Sequence, residues 1–339
     1  MSQSLNHQIT PSADKVPVAV IGVGEHGRKH AQQFREVEGA RLEGVYDLRA
    51  DRAQAVAAEL GVRAFASLEE ALGSVAAVSV VIPTTDHAAI ARQAFDRGVD
   101  VLLEKPITRS VEEADDLIAR AAAGGRILQV GHLERFNPGV VAAKAVTRSP
   151  LFFEIHRLGV FSPRSLDVDV VFDLMIHDLD LILWMVDAAV RDVRAVGLPV
   201  LSDKVDIANA RVEFDNGTVA NLTASRVSTE RVRKFRYFQP SEYVSIDFTR
   251  RDALVLSVDR DGPSPRIGFR KLETVAQEPL RAELTAFVES VRTRRPPLVG
   301  GQEGRQALAL AERVMICIEE HAALVKVPLG RAIGQSGEL

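Results

Sequence analysis

The sequence predicts an α/β N-terminal domain with a doubly wound parallel sheet and an α+β C-terminal domain with a largely antiparallel open sheet. Between residues 16 and 131, apolar runs alternate with helical stretches, as strands and crossover helices do. After residue 150, most segments alternate apolar and polar residues, as half-buried strands do. A chain of 339 residues suits two cores. We therefore expect a disordered tail at 1–15, a first domain at 16–133 and a second at 134–335.

Composition favours a small-molecule partner. Apolar residues make up 46% of the chain and charged residues 26%, and the net charge is -4, so there is no basic footprint for nucleic acid. The longest apolar stretch, 179–186, contains Asp180 and is too short for a membrane span. A single cysteine, Cys317, excludes an internal disulfide. These features predict a soluble protein of the cytoplasm, with no nucleic acid or membrane partner.

Signals that start or end helices recur regularly in the first half of the chain. Ser67 and Ser110 each precede two glutamates in a capping box, and Gly61, Gly98 and the pair Gly124-Gly125 end helical stretches. The continuous apolar run 76–82 is typical of a parallel strand covered on both faces. The predicted strands are 16–21, 41–47, 62–65, 76–82, 99–103 and 126–131, and the predicted helices are 25–38, 50–60, 86–98 and those that follow Ser67 and Ser110.

The second half is predicted to be a sheet with one open face. Asp215-Asn216-Gly217 separates two alternating segments, which is the pattern of a hairpin. Further strands are predicted at 151–158, 234–239, 243–248, 253–258 and 266–272, and a short helix is predicted up to residue 148. Because the uncovered face needs a partner, we expect a homodimer or homotetramer.

A glycine-rich loop, Gly22-Val23-Gly24-Glu25-His26-Gly27, joins the first strand to the first helix. In this position the first glycine permits a tight turn, the second lets backbone approach a diphosphate, and the third allows helix and strand to pack closely. Asp47 ends the second strand, where its carboxylate can accept hydrogen bonds from both ribose hydroxyls. The pattern predicts a dinucleotide cofactor, and the charge of Asp47 favours NAD over NADP, with Arg49 and Arg52 leaving NADP open.

Glu104-Lys105-Pro106 follows the predicted strand 99–103. Ligands bind beyond the carboxyl ends of strands in doubly wound sheets, so Lys105 is expected to face a crevice. Partial burial and a positive nicotinamide ring would both disfavour its protonated form, which would let it accept a proton. Pro106 fixes the local backbone and could do so through a cis bond.

Asp173 and His177 stand four residues apart on a predicted helix, with Asp180 one turn further. Either carboxylate could set the tautomer and orientation of His177, which makes His177 a second candidate base. His26 and His30 have the same spacing, but no third ligand is evident, and we expect no metal site.

In this order and spacing, GVGEHG, EKP and DxxxH resemble the glucose-fructose oxidoreductase, inositol dehydrogenase and MocA family of NAD(P)-dependent oxidoreductases. The resemblance implies a Rossmann domain, a C-terminal open sheet and an active site between them. It implies Lys105 and His177 as catalytic residues, Asp173 as the acidic partner, and a nicotinamide-lining loop. That loop is Pro83, Thr84, Thr85, Asp86 and His87, where the family more often has asparagine near Thr85. The implied cofactor-binding set is Gly22, Gly24, Glu25, His26, Gly27, Asp47, Arg49, Pro83, Thr84, Thr85, His87, Glu104, Lys105 and Pro106.

Three longer strings, VGHLERFNP at 130–138, the segment 156–181 and FQPSEYVSIDF at 238–248, resemble the bacterial UDP-N-acetylglucosamine 3-dehydrogenases of that family. This likeness implies oxidation of the sugar 3-hydroxyl to a ketone, which an aminotransferase then aminates for lipid A. The alternatives are a UDP-N-acetylglucosaminuronate, other sugar or cyclitol dehydrogenase, an NAD-using glycosidase, and a nucleotide-sensing regulator without turnover.

A nucleotide sugar carries a diphosphate that needs cations and hydrogen-bond donors. The candidates for the diphosphate are Arg157, Arg164, Arg231, Arg233 and Lys234. The candidates for contacts with the sugar are Arg135, Asn137 and His156.

Overall fold

The computed structural model describes residues 15–161, 168–260, 264–326 and 329. Most of the predicted tail therefore lies outside the described residues. Two sheets dominate the described part of the chain. The first is a six-stranded parallel sheet in the order β3-β2-β1-β4-β5-β6, which is the doubly wound arrangement. Its strands are β1 Val16–Ile21, β2 Ala40–Tyr46, β3 Arg63–Ala64, β4 Ala77–Val80, β5 Asp100–Glu104 and β6 Leu128–Gly131.

Helices connect these strands on both faces of the sheet. They are α1 Glu25–Phe34, α2 Ala50–Leu60, α3 Leu68–Ser74, α4 Thr84–Asp96 and α5 Val111–Ala123. Ser67 and Ser110 cap α3 and α5 as expected, since their hydroxyls accept from Glu70 N and Glu113 N. Helix α4 begins two residues earlier than predicted, because Pro83, at φ -57°, already leads into the first turn.

The second sheet has eight strands in the order β14-β13-β12-β11-β7-β10-β9-β8. Among its described strands, only β7 and β10 pair in parallel, and the other neighbours are antiparallel. The predicted hairpin is present, with Gly217 at φ +85° between β9 and β10. The strands are β7 Phe152–Val160, β8 Val190–Leu198, β9 Ile207–Phe214, β10 Val219–Ser228, β11 Val232–Gln239, β12 Glu242–Asp247, β13 Asp252–Asp259 and β14 Arg266–Lys271.

The remaining helices cover one face of this sheet and return to the first. They are α6 Pro138–Val146, α7 Ile176–Met185, α8 Pro279–Thr293 and α9 Gly301–Val325. Leu284 and Phe287 of α8 are buried with Val18 of β1 and Phe34 of α1. Helix α9 contributes buried residues to the cores of both sheets. None of the helices in the described ranges is long and apolar enough to cross a bilayer.

The opposite face of the second sheet carries an apolar row. Phe152, Phe238, Tyr243, Leu256 and Phe269 are directly paired across five neighbouring strands. Phe238 stacks on Phe152 at a centroid distance of 5.8 Å and lies 5.1 Å from Tyr243. Side chains alternate between sheet faces, and the neighbouring Phe153 and Tyr237 are buried in the core, so the row points away from it. We call this set the aromatic row.

Candidate active site

The glycine loop has the geometry that a dinucleotide requires. A Cβ on Gly22, at φ +84°, would lie 2.4 Å from Val81 O, and one on Gly27 would lie 1.9 Å from Gly22 O. A Cβ on Gly24 would meet nothing nearer than Arg52 Nη1 at 4.0 Å. The first and third glycines therefore allow close packing within the fold, while the second leaves open space above the N-terminus of α1.

Asp47 joins the end of β2 to this loop. Its Oδ2 accepts from Val23 N at 2.9 Å and its Oδ1 from Arg49 N at 2.9 Å, while Arg52 Nη1 lies 3.4 Å from Oδ2. The carboxylate is thus held at the loop, where a ribose would lie. The Arg49 side chain turns to Asp51, at 2.7 Å, and not to Asp47.

Glu104 lies below the same loop, against two histidines of α1. Its Oε1 is 3.3 Å from His26 Nε2 and 3.2 Å from His30 Nε2. Burial would raise the pKa of Glu104, but hydrogen bonds from both histidines outweigh it and hold the pKa well below its usual range. Burial lowers the pKa of His30. Glu104 therefore provides a third potential metal ligand beside His26 and His30, which the sequence spacing alone did not reveal.

The loop after β4 contributes backbone and one bracing side chain. Pro83, Thr84 and Thr85 surround the start of α4, with Thr85 exposed and its hydroxyl 3.4 Å from Asp86 Oδ2. His87 is buried, with its Nδ1 3.0 Å from Pro106 O and its Nε2 3.0 Å from Ile82 O. His87 therefore does not face a cofactor; it ties the loop after β4 to the loop that carries Lys105.

Lys105 follows β5 of the first sheet and reaches the segment that leads into α7. The Lys105-Pro106 bond is cis. The Lys105 ammonium donates to the backbone oxygen of Asp173 at 2.7 Å and lies 3.5 Å from Asp173 Oδ1. Asp173 comes from the second half of the chain, so a residue of each half contributes to the same small region.

The expected contact between Asp173 and His177 is not made. Residues Val171–Met175 form a π-helical turn that leads into α7, which takes Asp173 off the face that i and i+4 would share. Asp173 contacts Lys105, and His177 Nδ1 is buried with no hydrogen-bond partner among the described residues. Burial first, then the charges of Lys105 and Arg157, lower the pKa of His177 well below its usual value. His177 is therefore neutral near pH 7, the form that can accept a proton.

Asp180 does not orient His177 through Nδ1 either. It forms a buried bidentate pair with Arg135, at 2.7 and 2.8 Å, and the Arg135 guanidinium lies over Trp184. His132, just after β6, is buried 3.9 Å from Asp180, and neither of its ring nitrogens has a hydrogen-bond partner in the described part of the chain. The predicted contact of Arg135 with the sugar is not supported by this geometry, because its charge is paired inside the protein.

Arg157 and Asn137 also have internal roles. Arg157 is buried, bidentate to Asp178 at 2.7 and 2.8 Å, and 3.0 Å from Glu134 Oε1. These two carboxylates raise the pKa of Arg157 against the effect of burial. Asn137 caps α6 by accepting from Gly139 N at 3.1 Å. Arg157 is not free for the diphosphate that the sequence predicted, because a sequence does not show which acids become buried partners. Asn137, predicted for the sugar, is buried and its amide oxygen is used in the cap.

The remaining predicted substrate residues are dispersed. His156 alternates with buried Ile155 and Arg157, so it lies on the outer face of the sheet, 3.7 Å from Glu154. Arg231 is exposed just before β11. Arg164 lies outside the described residues. Arg233, also predicted for the diphosphate, is exposed and lies opposite Arg157 across the strands, so it points to the inner face. Lys234 is exposed and lies opposite His156, so it points to the outer face.

Comparison with known proteins agrees with this geometry. The NAD-binding Rossmann domain of an oxidoreductase family, Gfo/Idh/MocA, matches residues 16–132, and the Gfo/Idh/MocA C-terminal domain matches residues 152–238. The chain is 43% identical over 304 residues to a UDP-N-acetylglucosamine 3-dehydrogenase of Acidithiobacillus ferrooxidans, covering 88% of this chain and 96% of that protein. A myo-inositol 2-dehydrogenase of Thermotoga maritima is 25% identical over 89% of this chain and 96% of that protein.

Solved structures show the same fold. The structure of UDP-N-acetylglucosamine 3-dehydrogenase GnnA from Acidithiobacillus ferrooxidans matches at a TM-score of 0.84 and 41% identity, covering 90% of this chain and 98% of that one. A levoglucosan dehydrogenase in complex with NADH matches at a TM-score of 0.82 and 17% identity, over 91% and 98% of the two chains. The chain therefore belongs to the Gfo/Idh/MocA family of NAD-dependent oxidoreductases and is an enzyme of the sugar dehydrogenase type.

Proposed function

We propose that this protein oxidises the 3-hydroxyl of UDP-N-acetylglucosamine to a ketone with NAD. The observation that carries the proposal is the 43% identity to a UDP-N-acetylglucosamine 3-dehydrogenase over 88% of the chain. The position of Lys105 beside Asp173 supports it. The inositol dehydrogenases are more distant, and their substrates make up part of the test below.

Bound NAD supplies a nicotinamide that accepts a hydride. Oxidation removes that hydride from carbon 3 with both electrons of the C–H bond, while the hydroxyl proton must pass to a base as the C=O bond forms. We assign the proton to Lys105, whose unprotonated amine accepts it and becomes an ammonium that Asp173 O and Oδ1 hold in direction. We assign to His177, which is neutral near pH 7, an assisting role at the same hydroxyl. Glu104 and His87 hold the turn that carries Lys105.

For the diphosphate we assign Arg233 in place of Arg157. Arg233 is exposed on the inner face opposite Arg157 and forms no ion pair with the described residues, so its guanidinium can meet a ligand. Arg231, two residues earlier and exposed, is the second candidate. Guanidinium groups suit this task because their fork matches phosphate oxygens.

We further propose that the chain forms a homodimer or homotetramer through the aromatic row. Five paired apolar side chains on one sheet face form a contiguous patch, whereas single exposed apolar residues need no explanation. A two-fold contact would place the same row on both partners.

The substrate proposal is tested by incubating the purified protein with NAD and UDP-N-acetylglucosamine, with and without an amino-donor transaminase that removes the ketone. We expect NADH formation that rises when the transaminase is present, and a product two hydrogen atoms lighter by mass spectrometry. UDP-N-acetylglucosaminuronate, N-acetylglucosamine and myo-inositol are the comparison substrates. NADH formation with one of these but not with UDP-N-acetylglucosamine would refute the substrate. Release of free sugar without NADH, or binding without turnover, would refute the reaction.

A further inference from the structure

Three side chains at the glycine loop form a nearly equilateral triangle of donor atoms. His26 Nε2, His30 Nε2 and Glu104 Oε1 are separated by 3.3 Å between the histidines, 3.3 Å from His26 to Glu104 and 3.2 Å from His30 to Glu104. A tetrahedral Zn²⁺ with ligands at about 2.0–2.1 Å has ligand atoms about 3.3 Å apart. All three edges of the triangle therefore match a zinc site.

Hydrogen bonds alone do not satisfy this triangle. Each Nε2 can make one hydrogen bond in the plane of its ring, as a donor through its proton or as an acceptor through its lone pair. If both histidines donate to Glu104, two N–H groups face each other in the contact between the rings. If one histidine donates to the other, the acceptor nitrogen has no proton, and its contact with Glu104 brings two lone pairs together. A cation that faces all three atoms removes the conflict.

The surroundings provide what a zinc site needs. Ser79 Oγ lies 2.9 Å from His30 Nδ1, and it fixes the ring from the far side as outer-shell partners of metal-bound histidines do. His30 and Ser79 are fully buried, whereas the His26 side chain is 48% exposed. The site is thus rigid on one side and open on the other, which leaves an entry path and a fourth position for water.

We propose that His26, His30 and Glu104 form a Zn²⁺ site, and that zinc and NAD exclude each other. Two histidines, one carboxylate and an open fourth position form a known zinc donor set. The exclusion follows from position, because His26 lies inside the glycine loop that belongs to the NAD-binding domain. Zinc would therefore act as an inhibitor competitive with NAD. The binding claim is independent of the sugar that the enzyme oxidises.

The test is equilibrium dialysis of the full-length protein against Zn²⁺, with Co²⁺ absorption as a second readout of tetrahedral coordination. We expect one ion per chain, loss of at least 10-fold in affinity in His26→Ala and in Glu104→Gln, and displacement of the ion by NAD. His156→Ala is the matched control, since His156 also lies beside a glutamate but has no third donor in the described residues. His156→Ala should bind zinc as the parent does.

Three results would overturn the proposal. They are no stoichiometric binding by the parent protein, binding that survives His26→Ala, and binding that NAD leaves unchanged. Because His26 is half-exposed, its replacement should leave the fold intact, and an unchanged circular dichroism spectrum and melting temperature would confirm this. Failure of this test leaves the substrate proposal standing, since dialysis does not depend on turnover.

Discussion

At the scale of single residues, Lys105 is the group on which the proposed chemistry most depends. Lys105→Met keeps the length of the side chain but removes the proton acceptor, so we expect the oxidation rate to fall about 100-fold or more. NAD affinity, measured by fluorescence titration, should remain, because the glycine loop and Asp47 are unchanged. Lys15→Met, at an exposed position outside both sheets, is the control. A near-normal rate in Lys105→Met would remove Lys105 from the mechanism.

His177 makes a prediction about pH. Burial and nearby cations lower its pKa well below 6.5, so His177 stays neutral down to a pH well below that value. We expect the rate to show no loss from His177 protonation between about pH 6 and 8. His177→Gln should lower kcat at least about 10-fold and leave NAD affinity unchanged. An acid limb near pH 6.5 that disappears in His177→Gln would contradict the burial argument.

At the scale of elements, two glycines of the glycine loop have different roles, one in folding and one in cofactor binding. A methyl group on Gly27 would collide with backbone, whereas one on Gly24 has room in the protein. We therefore expect Gly27→Ala to destabilise the fold by several kcal/mol, on the order of other overpacking substitutions. Gly24→Ala should melt normally but bind NAD at least about 10-fold more weakly, since its methyl group occupies the space above α1. Urea denaturation and NAD titration distinguish the two, and normal NAD affinity in Gly24→Ala would refute this role.

Glu283 of helix α8 is a buried acid. Its carboxyl oxygens have no hydrogen-bond partner among the described residues. Burial raises its pKa well above 4.5, and the charges of Glu104 and Glu278 add to that rise. Since the folded-state pKa is the higher one, its contribution to stability is complete below about pH 4.5 and is lost as pH rises towards the folded-state pKa. The loss is about 1.4 kcal/mol for each pH unit between the two values.

Glu283→Gln removes this titration. We expect the variant to gain stability relative to the parent as pH rises, and the two to converge near pH 4.5, by urea denaturation at several pH values. Glu289→Gln on the same helix is the control, because Glu289 is exposed and paired with Arg292 at 3.2 Å. A stability difference that does not depend on pH would show that Glu283 is ionised in the folded protein.

At the scale of the whole molecule, the aromatic row predicts self-association. Phe238→Glu places a charge inside the row, between Phe152 and Tyr243. We therefore expect it to shift the protein from dimer or tetramer to monomer in sedimentation velocity at micromolar concentration. Leu324→Glu is the control, because Leu324 is 82% exposed at the far end of α9. A parent protein that sediments as a monomer would refute the proposed assembly.

The sequence by itself determined the order of the elements and the two kinds of sheet. Local signals suffice for these: capping serines, helix-ending glycines, alternation in the hairpin, and GVGEHG between strand and helix. It also placed Lys105 beyond the end of a parallel strand, because that position follows from topology alone.

Only the tertiary structure decided which charged groups neutralise each other. The sequence predicted that Arg135 and Arg157 bind ligand. In the structure, each is paired with a buried aspartate of α7. The π-helical turn moved Asp173 from His177 to Lys105, and β5 brought Glu104 against His26 and His30 across more than 70 residues. Burial and pairing of charges depend on contacts between segments distant in sequence, and no local pattern encodes them.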